Sequence, residues 1–373
     1  MFIIKIYMRK SILALLIMAS GAAFAQTQVS EYHPGMTAEG AVYYLPNSTI
    51  QVRVKVEKTT YTPGEFCKYA DKYLRLGKVD ETSHSTYKII STDITSYGEA
   101  DKNKAFTVKV NPKTAVCNLR LAEDGRLLAV NTDAPKEKAL PKPFVAAAKP
   151  APIDPRSFLN QEILAAGSVM KMAELVAGEI YDIRESRNAL IKGEADFMPK
   201  DGEQLKLMLA QLEQQDKVLS SMFTGNISKD TTETVLTLTP EKEIDKMVLF
   251  RMSAKLGLLD SDDMAGSPYY IYIKDLKTLP KEDNIDPKAL KAKEKAEQNA
   301  REKGNCLYVN VPSKMLVTLA NGNKKVAEYE TTAGQFGRVE LLSGDLFNKH
   351  FTTRLTLNPE SGAVEHLTAE EPK

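Results

Sequence analysis

Two stretches in the middle of the chain carry apolar residues at the spacing of a helix. Intervals of three, four and seven residues place them on one stripe of each helix. Ser168 and Asp201 are predicted to cap the two helix starts, and Gly193 and Gly225 to end the helices. The short connection lets the stripes face each other, which predicts an antiparallel helical hairpin. The stripes are Val169, Met172, Val176, Ile180, Ile183 and Leu190 in the first helix, and Leu205, Met208, Leu209, Leu212, Leu219, Met222 and Phe223 in the second.

On both sides of this hairpin, apolar and polar residues alternate with a period of two, as in a strand with one buried face. The clearest run extends from Ile50 to Val56, and Asp124-Gly125 marks a tight turn further on. We therefore predict an α+β fold in which two β-rich regions flank the central antiparallel helical hairpin. A short helix is predicted at 66–74, and further strands at 87–91, 105–110, 116–121, 126–130, 233–238, 246–252, 269–273, 307–311, 315–319, 339–342, 353–357 and 363–367.

Changes of composition divide the chain into segments. Residues 134–155 hold six prolines among alanines and lysines, which is typical of an extended, semi-rigid linker. Residues 281–304 are rich in Lys and Glu without an apolar stripe, which predicts a solvated variable loop. The predicted segments are a signal peptide (1–25), an N-terminal α+β domain (26–133), a Pro/Ala/Lys linker (134–155), the helical hairpin (156–225), a β region (226–279), a charged insertion (280–304) and a C-terminal β domain (305–373).

The two outer β-rich segments follow a similar order of motifs. Leu45-Pro46 and Val311-Pro312 each precede an alternating strand, and each segment closes on a hairpin with a glycine turn. A degenerate internal repeat explains this order, and so does the order of strands and turns that is common to many β-domains.

The first 25 residues have the features of a secretion signal. Lys5, Arg9 and Lys10 form a basic leader, a short apolar run follows, and Ala23-Phe24-Ala25 is a cleavage motif. The predicted mature chain begins at Gln26, and because no cysteine follows the cut, a lipoprotein is not expected. No later run is long enough to span a membrane. We therefore expect export to the periplasm or the cell surface, with no transmembrane segment after cleavage.

The charge balance and the aromatic content limit the classes of partner. The chain has 50 Lys and Arg against 49 Asp and Glu residues, and nucleic-acid binding needs a basic surface. Nucleic acid is therefore not expected as a partner. Tryptophan is absent, which weakens a role in stacking on sugar rings, although tyrosine can replace it.

Two charged clusters have both a functional and a structural interpretation. The run Asp182–Arg187 either grips an anion or is a solvated helix face with weak ion pairs. The run Asp260–Gly266 either holds a calcium ion or is an acidic turn. The twelfth position of a calcium loop that starts at Asp260 is Ile271 instead of glutamate. The structural interpretation is favoured for both clusters.

The histidines and cysteines do not form a recognisable catalytic or metal-binding motif. His33, His84, His350 and His366 are scattered, and only His350 is considered as a general base. Of the three cysteines, Cys67 and Cys117 are the one candidate bridge, while Cys306 stands apart; buried free thiols are favoured. No catalytic, cofactor-binding or metal-binding residue is predicted, and no cofactor is expected.

Several short motifs occur in an order that is characteristic of one family. They are Tyr44-Leu45-Pro46, Tyr61-Thr62-Pro63-Gly64, Ile180–Arg184 with Arg187, Met198–Gly202, Gln335-Phe336-Gly337, and Leu357-Asn358-Pro359 with Ser361-Gly362. With the leader, they make the chain resemble a family of secreted Bacteroidetes proteins catalogued as domain of unknown function 4831. The resemblance covers almost the whole mature chain apart from the charged insertion. It implies an exported protein and implies no activity.

Two functions from different classes follow from these observations. The first is a non-enzymatic exported envelope protein that acts as a binding or scaffolding module for an envelope protein or polymer. The alternative is a hydrolase of an envelope or dietary polymer that uses two carboxylates brought together by the fold. A deep cleft with converging acids favours the hydrolase, whereas grooves and open surfaces favour the binding module.

Overall fold

The computed structural model describes residues 28–31, 40–109, 118–149, 151, 153–199, 201–279, 295, 306–343, 346 and 352–370. Its strands are β1 (Gln28–Glu31), β2 (Ala41–Thr62), β3 (His84–Lys109), β4 (Leu119–Leu121), β5 (Leu127–Val130), β6 (Asn226–Leu238), β7 (Ile244–Ser253), β8 (Gly257–Leu259), β9 (Ser267–Asp275), β10 (Cys306–Asn321), β11 (Lys324–Ser343), β12 (Thr352–Leu357) and β13 (Val364–Glu370). Its α-helices are α1 (Ala70–Leu74), α2 (Gln161–Leu164), α3 (Val169–Lys192) and α4 (Gly202–Thr224). None of these helices is long and apolar enough to cross a membrane. The predicted signal peptide and, except for Lys295, the charged insertion lie outside the described residues.

The described strands form three sheets. The first has the order β1-β3-β2-β6, the second β11-β10-β9-β7-β8 and the third β13-β12-β5-β4. Strand β6 follows the helices in the chain but pairs with β2 along its whole length. The third sheet joins two short hairpins through the β5–β12 pair, so that strands from before and after the helices share two of the three sheets.

The two long hairpins, β2–β3 and β10–β11, are longer than the alternation predicts. Each shifts register at a proline, between Tyr44 and Pro46 in β2 and between Val311 and Ser313 in β10. Proline has no N–H for the ladder, so a bulge accommodates it without breaking the strand. A long hairpin followed by a short one, β4–β5 or β12–β13, therefore occurs in both outer segments, in the order that the shared motifs indicate.

Three apolar clusters form the core. The first two sheets face each other, with inward residues of β2 such as Val52 packed against β7, β9 and β10. Beyond the register shifts, the same hairpins meet the third sheet around Tyr43 and Leu355. A third cluster holds α1, α3 and the end of α4 together around Phe66 and Phe223. The predicted mixture of strands and helices is therefore present, with strand as the larger part.

Helices α3 and α4 pack against each other and begin and end where the sequence indicates. The Ser168 hydroxyl accepts a hydrogen bond from the amide of Lys171, and the Asp201 carboxylate accepts one from Glu203. Gly193 ends α3 in the left-handed conformation, with φ of 75°, which glycine adopts without strain. We refer to α3, its connection and α4 as the helical hairpin, and to the part formed by residues 184–215 as its distal end.

The buried stripe of the helical hairpin is shorter than the apolar pattern. In α4, only Leu219, Met222 and Phe223 are buried, and all three lie in its last turns. The earlier stripe positions of α4, from Leu205 to Leu212, remain partly exposed. In α3, Val169 is 50% exposed, although the other stripe residues are buried or half-buried. Burial is greatest where α1 supplies a third surface.

Candidate functional site

Residues 141–149 of the proline-rich linker lie along the outer face of the first sheet. Arg53 points to this face, because its neighbours Val52 and Val54 point into the core. Its guanidinium donates to two successive carbonyl oxygens, those of Pro141 at 2.5 Å and Lys142 at 3.1 Å. We call residues 137–149 the strap. The strap is held through its backbone by a side chain that the alternation marks only as polar.

A buried ion pair completes the contact under the strap. The Arg53 Nη1 atom lies 3.4 Å from Glu233 Oε2, and the two side chains are only 8% and 7% exposed. The same carboxylate oxygen accepts a hydrogen bond of 3.0 Å from the amide of Phe144. The Lys55 ammonium lies 5.3 Å from the centre of the Phe144 ring, within the range of a cation–π contact. The Arg53 donors, the Glu233 acceptor and the Lys55 cation thus all contact one extended segment.

An acidic cleft of about 500 Å³ opens beside the strap. Strap residues form one of its walls, and the other walls come from β3, the β4–β5 turn and the β12–β13 turn. The acids at the cleft are Glu99, Glu123, Asp124, Glu137 and Glu360, and the bases are Arg126 and Lys138.

Arg126 ties the walls of this cleft together. Its side chain is 8% exposed and lies 2.7 Å from the Asp124 carboxylate and 3.0 Å from that of Glu137. It also donates to the carbonyl oxygen of Pro359. Two of the acids are therefore bound to one guanidinium. Among the others, Glu99 accepts a hydrogen bond from Thr49, and Glu360 accepts one from Thr331. The cleft can attract cations, and in the described residues no group of His, Cys, Asp or Glu is arranged to hold a metal ion.

A second groove, of about 570 Å³, lies at the distal end of the helical hairpin. Ala189 and Leu190 of α3, Phe197 of the connection, and Met208 and Leu212 of α4 form its apolar part. Phe197, which lines the groove, is 69% exposed, and Ile191 and Leu207 at the same end of the hairpin are 64% and 70% exposed. This is a concentration of large apolar side chains on the surface, which in proteins marks sites of contact with partners.

The charged run at Asp182–Arg187 joins the two helices. Arg184 donates to both carboxylate oxygens of Asp216, at 3.0 to 3.2 Å, and to the Ser220 hydroxyl. Burial alone raises the pKa of the Asp216 carboxyl. The hydrogen bonds from Arg184 and Ser220, with the charges of Arg184 and Arg187, outweigh burial and hold that pKa below its usual value. The residues that sequence reasoning set aside as a solvated face thus contain a half-buried tie across the hairpin.

The acidic run at Asp260–Gly266 is a turn between β8 and β9. Its backbone closes on itself, with the Asp263 amide bonded to the Asp260 carbonyl. Arg251 donates to the carbonyl oxygens of Ser261 and Gly266 and clamps the two ends. These contacts agree with the structural interpretation of the run.

The histidines do not come together in the described residues. His84 is exposed beside Asp80, with 3.4 Å between its Nδ1 atom and the carboxylate, and its ring lies 5.2 Å from that of Tyr61. Burial, then the nearby Cys67 and Asp80, raise the pKa of the Tyr61 hydroxyl, so it remains a donor. Its hydrogen goes to the carbonyl oxygen of Asp80 or Thr224. His366 lies exposed on β13, and His33 and His350 lie outside the described residues.

The cysteine prediction is answered only for Cys67. Its thiol is free and half-buried. Cys117, its candidate partner, lies outside the described residues.

Comparison with known families gives a match over most of the chain. The model of a family described as Domain of unknown function (DUF4831) matches residues 39–365. No curated protein and no solved structure matches the chain.

Proposed function

The chain belongs to the DUF4831 family, whose model spans most of its length, and from this premise we propose that it is a non-enzymatic exported envelope protein that acts as a binding or scaffolding module. Export is supported by the basic leader, the short apolar run and the Ala23-Phe24-Ala25 motif. The binding role is supported by the surface of the helical hairpin. The secreted Bacteroidetes origin that the motifs indicate belongs to the same proposal.

The observation that carries the binding role is the unburied distal end of the hairpin. Exposing Ile191, Phe197 and Leu207 by about two thirds is unfavourable in water, at about 25 cal/mol per Å² of apolar surface. The groove that Phe197 lines has an apolar floor and a rim of polar residues such as Glu194 and Gln211. An apolar centre with a polar rim is the usual anatomy of a protein interface.

The shape of this groove fits an amphipathic helix of a partner protein. Two helices packed side by side leave a furrow between them, and a third helix that lies in the furrow buries its apolar face there. In the hairpin base this place is taken by α1, whose Ala70 and Leu74 are buried against α3 and α4. At the distal end, the described residues supply no third element to the cluster. The partner would extend the bundle that α1 begins.

Site-specific photo-crosslinking in the exporting cell tests this proposal. A photoreactive residue at position 197 should give one product of defined mass, and the same residue at Glu213, outside the groove lining, should not. Adding Met208→Ser to the position-197 probe should reduce the product, since Met208 lines the groove and is only half-buried, outside the buried core. A product at twice the mass of the chain identifies a second copy as the partner. Equal labelling from both positions, or no product, contradicts the proposal.

Mass spectrometry of the exported protein tests the proposed localisation and the cleavage of the signal peptide. The expected N-terminus is Gln26, in a periplasmic or cell-surface fraction without lipid modification. An intact Met1 end in the cell envelope contradicts export by a cleaved leader.

The acidic cleft favours the alternative, a carboxylate-dependent hydrolase. Glu99 and Glu360 face the same cleft from different segments and are not paired with Arg126. The full chain is incubated with peptidoglycan and with dietary polysaccharides, and new reducing ends are counted. The binding proposal expects none above the blank. Turnover that a Glu99→Gln, Glu360→Gln variant loses, while it keeps the thermal unfolding midpoint, replaces the binding proposal with the hydrolase.

A further inference from the structure

We infer that the outer face of β2 and β6 around Arg53 and Glu233 is a recognition site for an extended proline-rich peptide, and that the strap occupies this site in cis. The site shares no residue with the hairpin groove. It is therefore an interaction surface in addition to the one in the proposed function.

The first argument is the match between the groups on the sheet and those on the strap. Pro141 and Pro143 have no N–H, so this part of the strap presents carbonyl acceptors and cannot pair as a regular strand. The guanidinium of Arg53 supplies donors in a fixed fork and takes the carbonyls of Pro141 and Lys142 together. The first N–H after Pro143 is that of Phe144, and it meets the acceptor Glu233. Donors face acceptors in the order that a Pro-x-Pro-x segment requires.

The second argument is the burial of the two charges. Burying an unpaired charge is costly, and Arg53 and Glu233 are more than nine-tenths buried, as a pair that also bonds the strap backbone. Arg53 Nε is occupied as well, by the side-chain oxygen of Gln51 at 3.0 Å. A simple spacer between two domains would need no such pair beneath it. With the strap in place, the pair bonds a peptide backbone on one side and its own partner on the other.

The third argument is how lightly the strap itself is held. Its residues are exposed, with Leu140, Phe144 and Val145 at 45%, 37% and 84%. Few apolar contacts and few hydrogen bonds characterise segments that open at low free-energy cost. An occupant held by a small number of directional bonds can be replaced by another peptide that offers the same groups.

These contacts define the class of ligand. It is an extended segment with the order Pro-x-Pro-aromatic, in which the aromatic ring lies under Lys55. A basic residue five positions after the aromatic fits as well, because Lys149 pairs with Asp230 on β6. Such segments bind with little loss of entropy, since the polyproline conformation is already formed in the free peptide.

Release of the strap would also alter the acidic cleft. Glu137, Lys138 and Leu140 belong to the strap and line the cleft, and Glu137 is bonded to Arg126. A peptide that displaces only residues 141–149 would leave this wall attached. A peptide that includes the equivalent of Glu137 would compete for Arg126 as well.

The test is direct binding of a labelled peptide with the sequence of residues 137–149, followed by fluorescence anisotropy. Three full-length proteins and one control are compared: the wild type, Phe144→Ala, a variant with residues 138–149 replaced in place by Gly and Ser, and the control Val145→Ala. The tethered strap competes at millimolar effective concentration in the wild type. Affinity should therefore rise at least tenfold from the wild type to the replaced variant, with Phe144→Ala between them. Val145→Ala is the matched control and should bind as the wild type does, since Val145 is 84% exposed.

Variant peptides test the same contacts without any further substitution in the protein. A peptide with Ala at the Phe144 position, or with both prolines replaced by Ala, should bind the replaced variant at least fivefold more weakly than the parent peptide. Equal affinity of parent and altered peptides overturns the inference. Equal affinity of the peptide for all the proteins also overturns it. So does a lack of binding to both Phe144→Ala and the replaced variant, provided that both have the thermal unfolding midpoint of the wild type.

Discussion

The side-chain amide of Gln335 on β11 pairs with both backbone groups of Ser48 on β2. Its Nε2 donates to the Ser48 carbonyl at 2.8 Å, and its Oε1 accepts from the Ser48 amide at 2.9 Å. The Ser48 hydroxyl in turn donates to the carbonyl of Thr332 at 2.8 Å. A side chain from one long hairpin thus takes the place of a strand beside the other.

The same junction collects several of the motifs that carry the family resemblance. The Asn310 amide nitrogen donates to the carbonyls of Pro46 and Ser361, and the junction is so tight that a Cβ at Gly334 would lie 2.4 Å from it. Pro46, Gln335 and Ser361 all belong to these motifs. These three motifs therefore specify how the two hairpins and the β12–β13 turn join.

Gln335→Ala is expected to destabilise the protein by about 1–3 kcal/mol, since it leaves a donor and an acceptor of the buried Ser48 without partners. Urea unfolding measures the loss. Lys324→Ala, on the exposed start of the same strand, is the control and should change stability by less than about 0.5 kcal/mol. Equal small effects would show that water replaces the Gln335 amide without cost.

Gly64→Ala is expected to destabilise the base of the helical hairpin. An added Cβ would lie 2.2 Å from the carbonyl oxygen of Met222, which is backbone and accepts a hydrogen bond from Phe66. Forced shifts of this kind cost about 1–3 kcal/mol or more. Gly178→Ala is the matched change in open space, and it should stabilise α3 by up to about 1 kcal/mol because alanine favours a helix. Thermal unfolding midpoints that move the same way would contradict this.

Leu219→Ala and Leu212→Ala separate the two parts of the predicted stripe. Leu219 is 1% exposed, so its truncation should cost about 2–5 kcal/mol. Leu212 is only partly buried beside the same cluster, so the loss there should be clearly smaller. Urea titration of both variants provides the comparison. A larger loss at Leu212 would mean that the distal end is covered in solution, as by a partner helix.

Sequence reasoning worked best where the determining contacts are local. Ser168, Gly193, Asp201 and Gly225 lie at the helix limits because caps satisfy backbone groups within one turn. The pattern failed along α4, where Leu205 fits the stripe as well as Leu219 does. Periodicity tells which side chains share a face, and it cannot tell how far a neighbouring element extends along that face.

Strand partners and the strap contacts could not be predicted for a related reason. Alternation assigns Arg53 to the outer face and Val52 to the inner one, but it contains no information about which strand or segment covers either face. The pairing of β2 with β6 and the contact of Arg53 with Pro141 both depend on distant segments of the chain that come back to lie beside β2. The linker composition predicted an extended segment, and its docking through backbone carbonyls left no signal in the residue types.

The Arg184–Asp216 tie gives the helical hairpin a pH dependence with a definite sign. The pKa of Asp216 is lower in the folded protein than in the unfolded chain, where it is about 3.9. The stabilisation is therefore complete above the unfolded pKa and is lost as pH falls through the folded pKa. Asp216→Asn should cost about 1.5 kcal/mol at pH 7, the lower end for charged hydrogen bonds, because Arg184 is 36% exposed and partly screened by water.

The difference in unfolding free energy between wild type and Asp216→Asn should thus stay constant from pH 7 to about pH 5 and shrink below about pH 4. Urea titrations at pH 7, 5 and 3 measure it, and Glu213→Gln on the exposed face of α4 is the control that should show little difference at any pH. Other carboxylates titrate in the same range in both proteins, so only the difference between variants is informative. A difference that grows on acidification would mean that burial, which opposes the charged form of Asp216, outweighs the hydrogen bonds from Arg184 and Ser220. The hairpin would then be tied by its apolar base alone.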